Sequence, residues 1–181
     1  MKRLFIALFA LAGLRAAAMD KSSDTSRQPA FILADTTVGA MTLLTIRDTA
    51  TGMADISQIM GRDYGELFAF VGQNGLKPGR TMAFYYSTQP VLILDAAVEV
   101  DKRPDQLTGR VKWIALRSGN AIVAHYQGPY DQIGPAYTAL FNRLKQQNKM
   151  ADGPPFEVYL NDPMSVKDPF DLRTDVYQMT K

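Results

Sequence analysis

A single carboxylate, Glu157, lies in the middle of an apolar and aromatic strand pattern, FEVY, near the C-terminus. Alternation along a strand places Phe156 and Val158 on one face and Glu157 and Tyr159 on the other. A buried carboxylate is costly unless it is paired, and an organic cation is one such partner. An aromatic ring beside it adds cation–π attraction. Glu157 and Tyr159 are therefore candidate contacts for a flat or cationic ligand. The alternatives are a solvated side chain, or one paired with a nearby Arg or Lys.

An internal repeat gives Glu157 a counterpart in the first half of the chain. Five residues recur in order: Tyr64, Leu67, Phe68, Gly79 and Tyr85 correspond to Tyr137, Leu140, Phe141, Gly153 and Tyr159. Each half has the pattern of a strand, an amphipathic helix, a Gly-containing turn and two further strands. The sequence therefore predicts an α+β fold. In it, duplicated βαββ units form one antiparallel sheet with two helices on one face and a central cleft.

The same alignment defines the candidate ligand-binding residues. It puts Ala83 opposite Glu157 and Tyr85 opposite Tyr159. Because Phe156 and Val158 are expected to pack under the helix, we expect these four residues to share the helix-free face. Trp113 is added as a residue of either the core or the cleft wall. At equivalent helix positions, Phe68 and Phe141 are predicted to be buried.

His125 is the only histidine, and there is no cysteine. The absence of cysteine excludes disulfides, thiol catalysis and thiolate metal sites. His125 is interpreted as a general base or haem ligand, or as a structural strand residue. No triad or dyad spacing surrounds it, which favours the structural interpretation. No catalytic residue, metal site or cofactor is predicted.

The N-terminus has the layout of a secretory signal peptide over residues 1–18. Lys2 and Arg3 precede an apolar run, and small residues follow it. We predict a flexible linker over residues 19–36, a ligand-binding domain over residues 37–181, and a periplasmic or secreted protein. The alternative is a leader that is retained as a membrane tether. The run is shorter than the about 20 residues that a membrane span needs, so no stable membrane insertion is expected after cleavage.

Removal of the leader changes the charge balance. It carries three of the 20 basic residues and none of the 18 acidic ones, which leaves 17 basic and 18 acidic residues. The remaining chain has no basic stripe of the kind that binds nucleic acid. No nucleic-acid partner is therefore predicted.

Three stretches resemble the GyrI-like small-molecule-binding family, which is related to the effector-binding domains of AraC- and MerR-type regulators. They span residues 61–86, 125–147 and 153–163, and they carry the motifs H-x-x-G-x-Y, Y-x-x-L and E-x-Y-x-x-D-P. The resemblance covers about residues 37–179. It implies a duplicated βαββ fold with a cleft between the halves, a lipophilic or cationic ligand, and Glu157 as a ligand contact. The chain departs from the regulators because nothing before Thr37 has the pattern of a DNA-binding helix-turn-helix.

The leading expectation is an exported protein that binds or sequesters a lipophilic or cationic small molecule, with binding favoured over turnover. The first alternative is a hydrolase acting on a strained or ester-like molecule, with Glu157 as acid or base. The second is a protein-interaction module, which a shallow cleft beside an exposed apolar patch would favour. The third and weakest alternative is haem binding through His125.

Overall fold

The computed structural model describes residues 27–87 and 91–181. The predicted signal peptide and the first part of the predicted linker, residues 19–26, lie outside the described residues. The elements of the two ranges are β1 (Ala30–Val38), β2 (Met41–Ala50), α1 (Met53–Gln73), β3 (Pro78–Ser87), β4 (Leu92–Val100), β5 (Lys112–Leu116), β6 (Gly119–Gln127), α2 (Gly134–Gln146), β7 (Phe156–Tyr159) and β8 (Arg173–Met179). Neither helix of these ranges combines the length and the apolar character of a membrane span.

The strands form one antiparallel sheet with the order β1-β6-β8-β7-β3-β4-β2-β5. The units β2-α1-β3-β4 and β6-α2-β7-β8 repeat the same topology and meet where β3 pairs with β7, a junction named here the seam. This confirms the predicted duplication. The two units also exchange edge strands. β1, which precedes the first unit, pairs with β6 of the second, and β5, which precedes the second unit, pairs with β2 of the first.

β1 corrects the predicted linker boundary. Residues 30–36 belong to the sheet, since β1 pairs with β6 along its whole length. The Asp35 carboxylate also accepts hydrogen bonds from Arg143, Gln147 and Lys149 at the C-terminal end of α2. Exposed and partly buried residues nearly alternate along β1, as expected of a strand at the edge of a sheet.

Both helices pack on one face of the sheet, as predicted. The inward side of α1 carries the buried residues Met60, Tyr64, Leu67 and Val71, and α2 buries Ala136, Leu140 and Leu144. The three- and four-residue spacings of these side chains give each helix one apolar stripe. In α2, Pro135 occupies the first turn, where a missing backbone N–H costs nothing.

The helix-free face holds a second apolar cluster, which corrects the predicted assignment of faces. Met82, Phe84, Phe156 and Val158 pack there, whereas Glu157 and its face-mates point toward the helices. The cluster is buried because the sheet curls. Only Gly39 and Ala40 connect β1 to β2, so opposite edges of the sheet approach each other. Alternation shows which residues share a face but not which face the helices cover.

Phe68 and Phe141 are only half-buried, so the prediction of two buried phenylalanines was wrong. The equivalent positions that are fully buried are their neighbours Leu67 and Leu140, each with no exposed surface. Both pairs of repeat mates match in their burial, so the pseudo-symmetry of the helices holds, and only the predicted burial of the phenylalanines is wrong.

Candidate functional site

A cavity of about 640 Å³ lies above the seam, between the N-terminal halves of the two helices. Its walls are apolar and aromatic. They include Met60 from α1, Phe141 from α2 and five tyrosines: Tyr85, Tyr86, Tyr130, Tyr137 and Tyr159. The N-terminal part of α1 contributes Ile56, Ser57 and Met60 to the lining, and the N-terminal half of α2 contributes Gly134 and Tyr137. Concave, largely apolar pockets with few polar groups are the usual form of small-molecule sites.

Glu157 lies at the floor of the cavity, directly opposite Ala83 across the seam. Only 5% of its surface is exposed. The Tyr137 hydroxyl donates a hydrogen bond of 2.8 Å to Oε1, and the Tyr85 hydroxyl lies 3.4 Å from Oε2. The hydroxyls of Tyr85 and Tyr159 are 3.2 Å apart. The hydroxyls of Tyr85, Tyr137 and Tyr159, named here the tyrosine cage, thus surround the Glu157 carboxylate.

Burial raises the pKa of Glu157 above its ordinary value, because desolvation disfavours the charged form. Hydrogen bonds from Tyr137, Tyr159 and Tyr85 act in the opposite direction and favour the carboxylate. Burial also raises the pKa of each of these tyrosines well above its ordinary value. They therefore remain protonated and available as donors.

The duplication explains why the tyrosine cage surrounds one carboxylate rather than two. Tyr85 and Tyr159 are repeat mates, and so are Tyr64 and Tyr137, but Ala83 is the mate of Glu157. Tyr64 is fully buried and donates a 2.7 Å hydrogen bond to the Met82 carbonyl oxygen. The small side chain of Ala83 leaves the floor of the cavity free for the carboxylate. A second glutamate there would place two like charges on directly paired residues, which is destabilising.

The structure brings three of the five predicted ligand-binding residues together at the cavity. Glu157, Tyr159 and Tyr85 line it. Ala83 is fully buried beside Glu157, below the cavity wall. Trp113 lies elsewhere: it is on the edge strand β5, three strands from β3, and packs against the core under α1 with the Arg103 guanidinium 4.4 Å from its ring centre.

Sequence reasoning missed Tyr130, Tyr137, Phe141 and Asp131 as cavity residues. Tyr137 was interpreted as an apolar helix position because its spacing fits the buried stripe. A signal was available, since Tyr130 ends the H-x-x-G-x-Y motif and Tyr137 begins Y-x-x-L. Burial, together with the charges of Glu157 and Asp162, raises the pKa of Tyr130, so its hydroxyl stays protonated.

His125 lies outside the cavity, on the helix-free face. Its Nδ1 is 2.7 Å from Asp175 Oδ1, and the Tyr177 hydroxyl donates a 3.2 Å hydrogen bond to the other oxygen of Asp175. The histidine thus partners a nearly buried carboxylate. No three His, Asp or Glu side chains converge as metal ligands would within the described ranges.

Known structures with the same fold include EcmrR in a complex with DNA, at 13% identity and a TM-score of 0.73. The match covers 83% of this chain and 57% of the EcmrR chain, so this chain spans little more than half of that protein. The C-terminal domain of EcmrR matches at 15% identity with a TM-score of 0.68, covering 83% of this chain and 98% of the domain.

A third similar structure is that of SAV2435 bound to tetraphenylphosphonium, at 14% identity and a TM-score of 0.59. It covers 83% of this chain and 94% of SAV2435. At such identities these likenesses establish the fold alone. No curated protein sequence matches the chain.

The family model of the GyrI-like small molecule binding domain matches residues 43–180. That range contains the seam, both helices and every residue of the tyrosine cage. The chain belongs to the GyrI-like small-molecule binding domain family.

Proposed function

We propose that the protein binds a lipophilic organic cation in the cavity above the seam, with Glu157 as the charged contact. The observation that carries the proposal is the Glu157 carboxylate, which is more than nine-tenths buried at the floor of an aromatic cavity. No lysine, arginine or histidine is among the described residues that line this cavity. Among the residues that the structure describes, Glu157 therefore has neutral hydrogen-bond partners but no counter-ion.

The chemistry of the walls selects the class of ligand. A cation gains from the carboxylate because water is largely excluded, and electrostatic interactions strengthen in a low-dielectric site. Of the five tyrosine rings that line the cavity, only that of Tyr86 is covered by an arginine in the described part of the chain, and the other four are available for cation–π contact. This attraction is larger when the cation is desolvated. An anion is repelled by Glu157, and a neutral aromatic molecule obtains only the apolar contacts.

The tetraphenylphosphonium in the SAV2435 structure supports this choice, because it is a lipophilic cation bound to a protein of the same fold. The proposal for this chain rests on the carboxylate and the rings of its own cavity, because 14% identity shows only the fold.

The test compares a cation with its neutral isostere, 1-methylquinolinium with 1-methylnaphthalene, by calorimetric titration. Glu157→Gln keeps the shape and removes the charge. We expect it to weaken the cation by at least about tenfold, or ~1.4 kcal/mol, and to leave the hydrocarbon nearly unchanged. Asp105→Asn, an exposed carboxylate outside the cavity, controls for the change in net charge.

Equal weakening of both ligands, or of neither, contradicts a charge role for Glu157. Turnover of an ester-like ligand that is lost in Glu157→Gln would instead support the hydrolase alternative. Failure of both ligands to bind the unsubstituted protein contradicts the proposed cavity function and favours a protein partner.

We also propose that this binding takes place outside the cytoplasm, on the basis of the leader pattern alone. The mature chain is then expected to begin near Met19, after the small residues Ala16 to Ala18. N-terminal sequencing of the protein from the periplasmic and culture fractions tests this. Exported protein that still begins at Met1 would contradict cleavage.

A further inference from the structure

We propose that Asp131 forms a second, outer cation contact at the mouth of the cavity, so that the site prefers ligands with two positive charges joined by an apolar linker. This inference rests on the proposed function, because the inner charge of such a ligand would meet Glu157. It adds a specificity-determining residue and a narrower ligand class.

Asp131 is held at the mouth by the short 3-10 turn Tyr130–Gln132, which directly precedes α2. The ring of Tyr130 packs edge-on against that of Tyr159, with ring centres 5.6 Å apart. This contact fixes the turn against the seam. Asp131, the next residue, lines the cavity while its side chain stays exposed to water.

The charges around the cavity leave both carboxylates without a counter-ion. Asp131 and Glu157 are the only charged side chains among the described residues that line it. Asp131 forms no salt bridge with any residue in the described part of the chain. Arg47 stacks over the ring of Tyr86, 4.1 Å from its centre, but its guanidinium is paired twice with Asp95, at 2.7 and 3.0 Å.

The two carboxylates offer different environments. Glu157 is buried beneath apolar walls, whereas Asp131 is hydrated at the entrance. A dication with an apolar linker fits this arrangement: one head group enters, the linker covers the aromatic walls, and the second head group keeps its water beside Asp131. A monocation of the same linker uses only the inner contact.

The probes are two matched series: hexamethonium, octamethonium and decamethonium, and the alkyltrimethylammonium ions of the same chain lengths. The three lengths scan the separation of the charges. Affinities are measured by calorimetry at low ionic strength for the unsubstituted protein, Asp131→Asn, Glu157→Gln and the control Asp105→Asn.

We expect Asp131→Asn to weaken the best-fitting dication by about two- to fivefold, the range of an exposed ion pair, and to leave the monocations unchanged. Glu157→Gln should weaken both series, and the Asp131 effect should shrink as salt is added. Because Asp131 is exposed, its replacement is not expected to disturb folding, and unchanged monocation affinity confirms this within the same experiment.

Two outcomes separate this inference from the proposed function. If Glu157→Gln weakens the cations but Asp131→Asn changes both series alike or neither, the outer contact is wrong and the proposed function stands. If Asp131→Asn weakens the monocations as much as the dications, Asp131 only attracts cations at long range, which overturns the selection of dications. If no cation binds the unsubstituted protein, both proposals fail.

Discussion

Replacing Leu67 or Leu140 by alanine is expected to lower the free energy of unfolding by about 2–5 kcal/mol at either site. The two leucines are repeat mates, and both are fully buried between their helix and the sheet. Removal of a large aliphatic side chain loses its transfer free energy and leaves a cavity that the surroundings only partly fill. The measurement is chemical denaturation followed by circular dichroism.

Phe68→Ala is the matched control for Leu67→Ala. Phe68 has the larger side chain but is half-buried, so its truncation is expected to cost less than that of Leu67. A cost below about 1 kcal/mol for Leu140→Ala would mean that α2 does not pack on the sheet as α1 does. Such a result would remove the pseudo-symmetry on which the position of the cavity depends.

Much of the fold could be predicted because it is encoded locally. The periodicity around Tyr64 and Tyr137 identifies two helices, and the repeat of that pattern implies equivalent units. What the sequence did not reveal depends on distant partners. The exchange of β1 and β5 between the units arises from pairing with strands far along the chain, and no local pattern specifies that choice.

The candidate site was predicted in part for the same reason. Alternation correctly grouped Glu157 with Tyr159, and the repeat added Tyr85. It could not show that this face lies under the helices, because both faces of the curled sheet are apolar. Tyr137 was assigned to the core because an amphipathic helix has one apolar stripe, which normally packs on the sheet. In α2, the N-terminal part of this stripe faces the cavity instead.

The remaining prediction concerns the pH dependence of binding. Because burial raises the pKa of Glu157 in the free protein, part of the population is protonated at mildly acid pH. A bound cation favours the ionised form, so binding releases a proton there. We expect affinity for a permanent cation to rise by up to about tenfold per pH unit below the free-state pKa and to level off above it.

The stability of the ligand-free protein should change in the opposite direction. A carboxyl whose pKa is raised by folding contributes stability that is fully present below its ordinary pKa and is lost as pH rises through the folded-state value. Glu157→Gln removes this loss. It is therefore expected to make the free protein more stable than the unsubstituted one at neutral pH, and to abolish both the proton release and the pH dependence of cation binding.

Tyr137→Phe separates the hydrogen bond from the charge. It keeps the ring but removes the hydroxyl that donates to Glu157, so the pKa of Glu157 should rise and the midpoint of the binding curve should move to higher pH. Tyr177→Phe, which loses a hydroxyl bonded to Asp175 on the other face, is the control and should leave the midpoint unchanged.

Calorimetric titrations with 1-methylquinolinium in buffers of different ionisation enthalpy give both the affinity and the number of protons released. Affinity that is independent of pH in the unsubstituted protein would show that Glu157 is already ionised throughout, and that the tyrosine hydroxyls outweigh its burial.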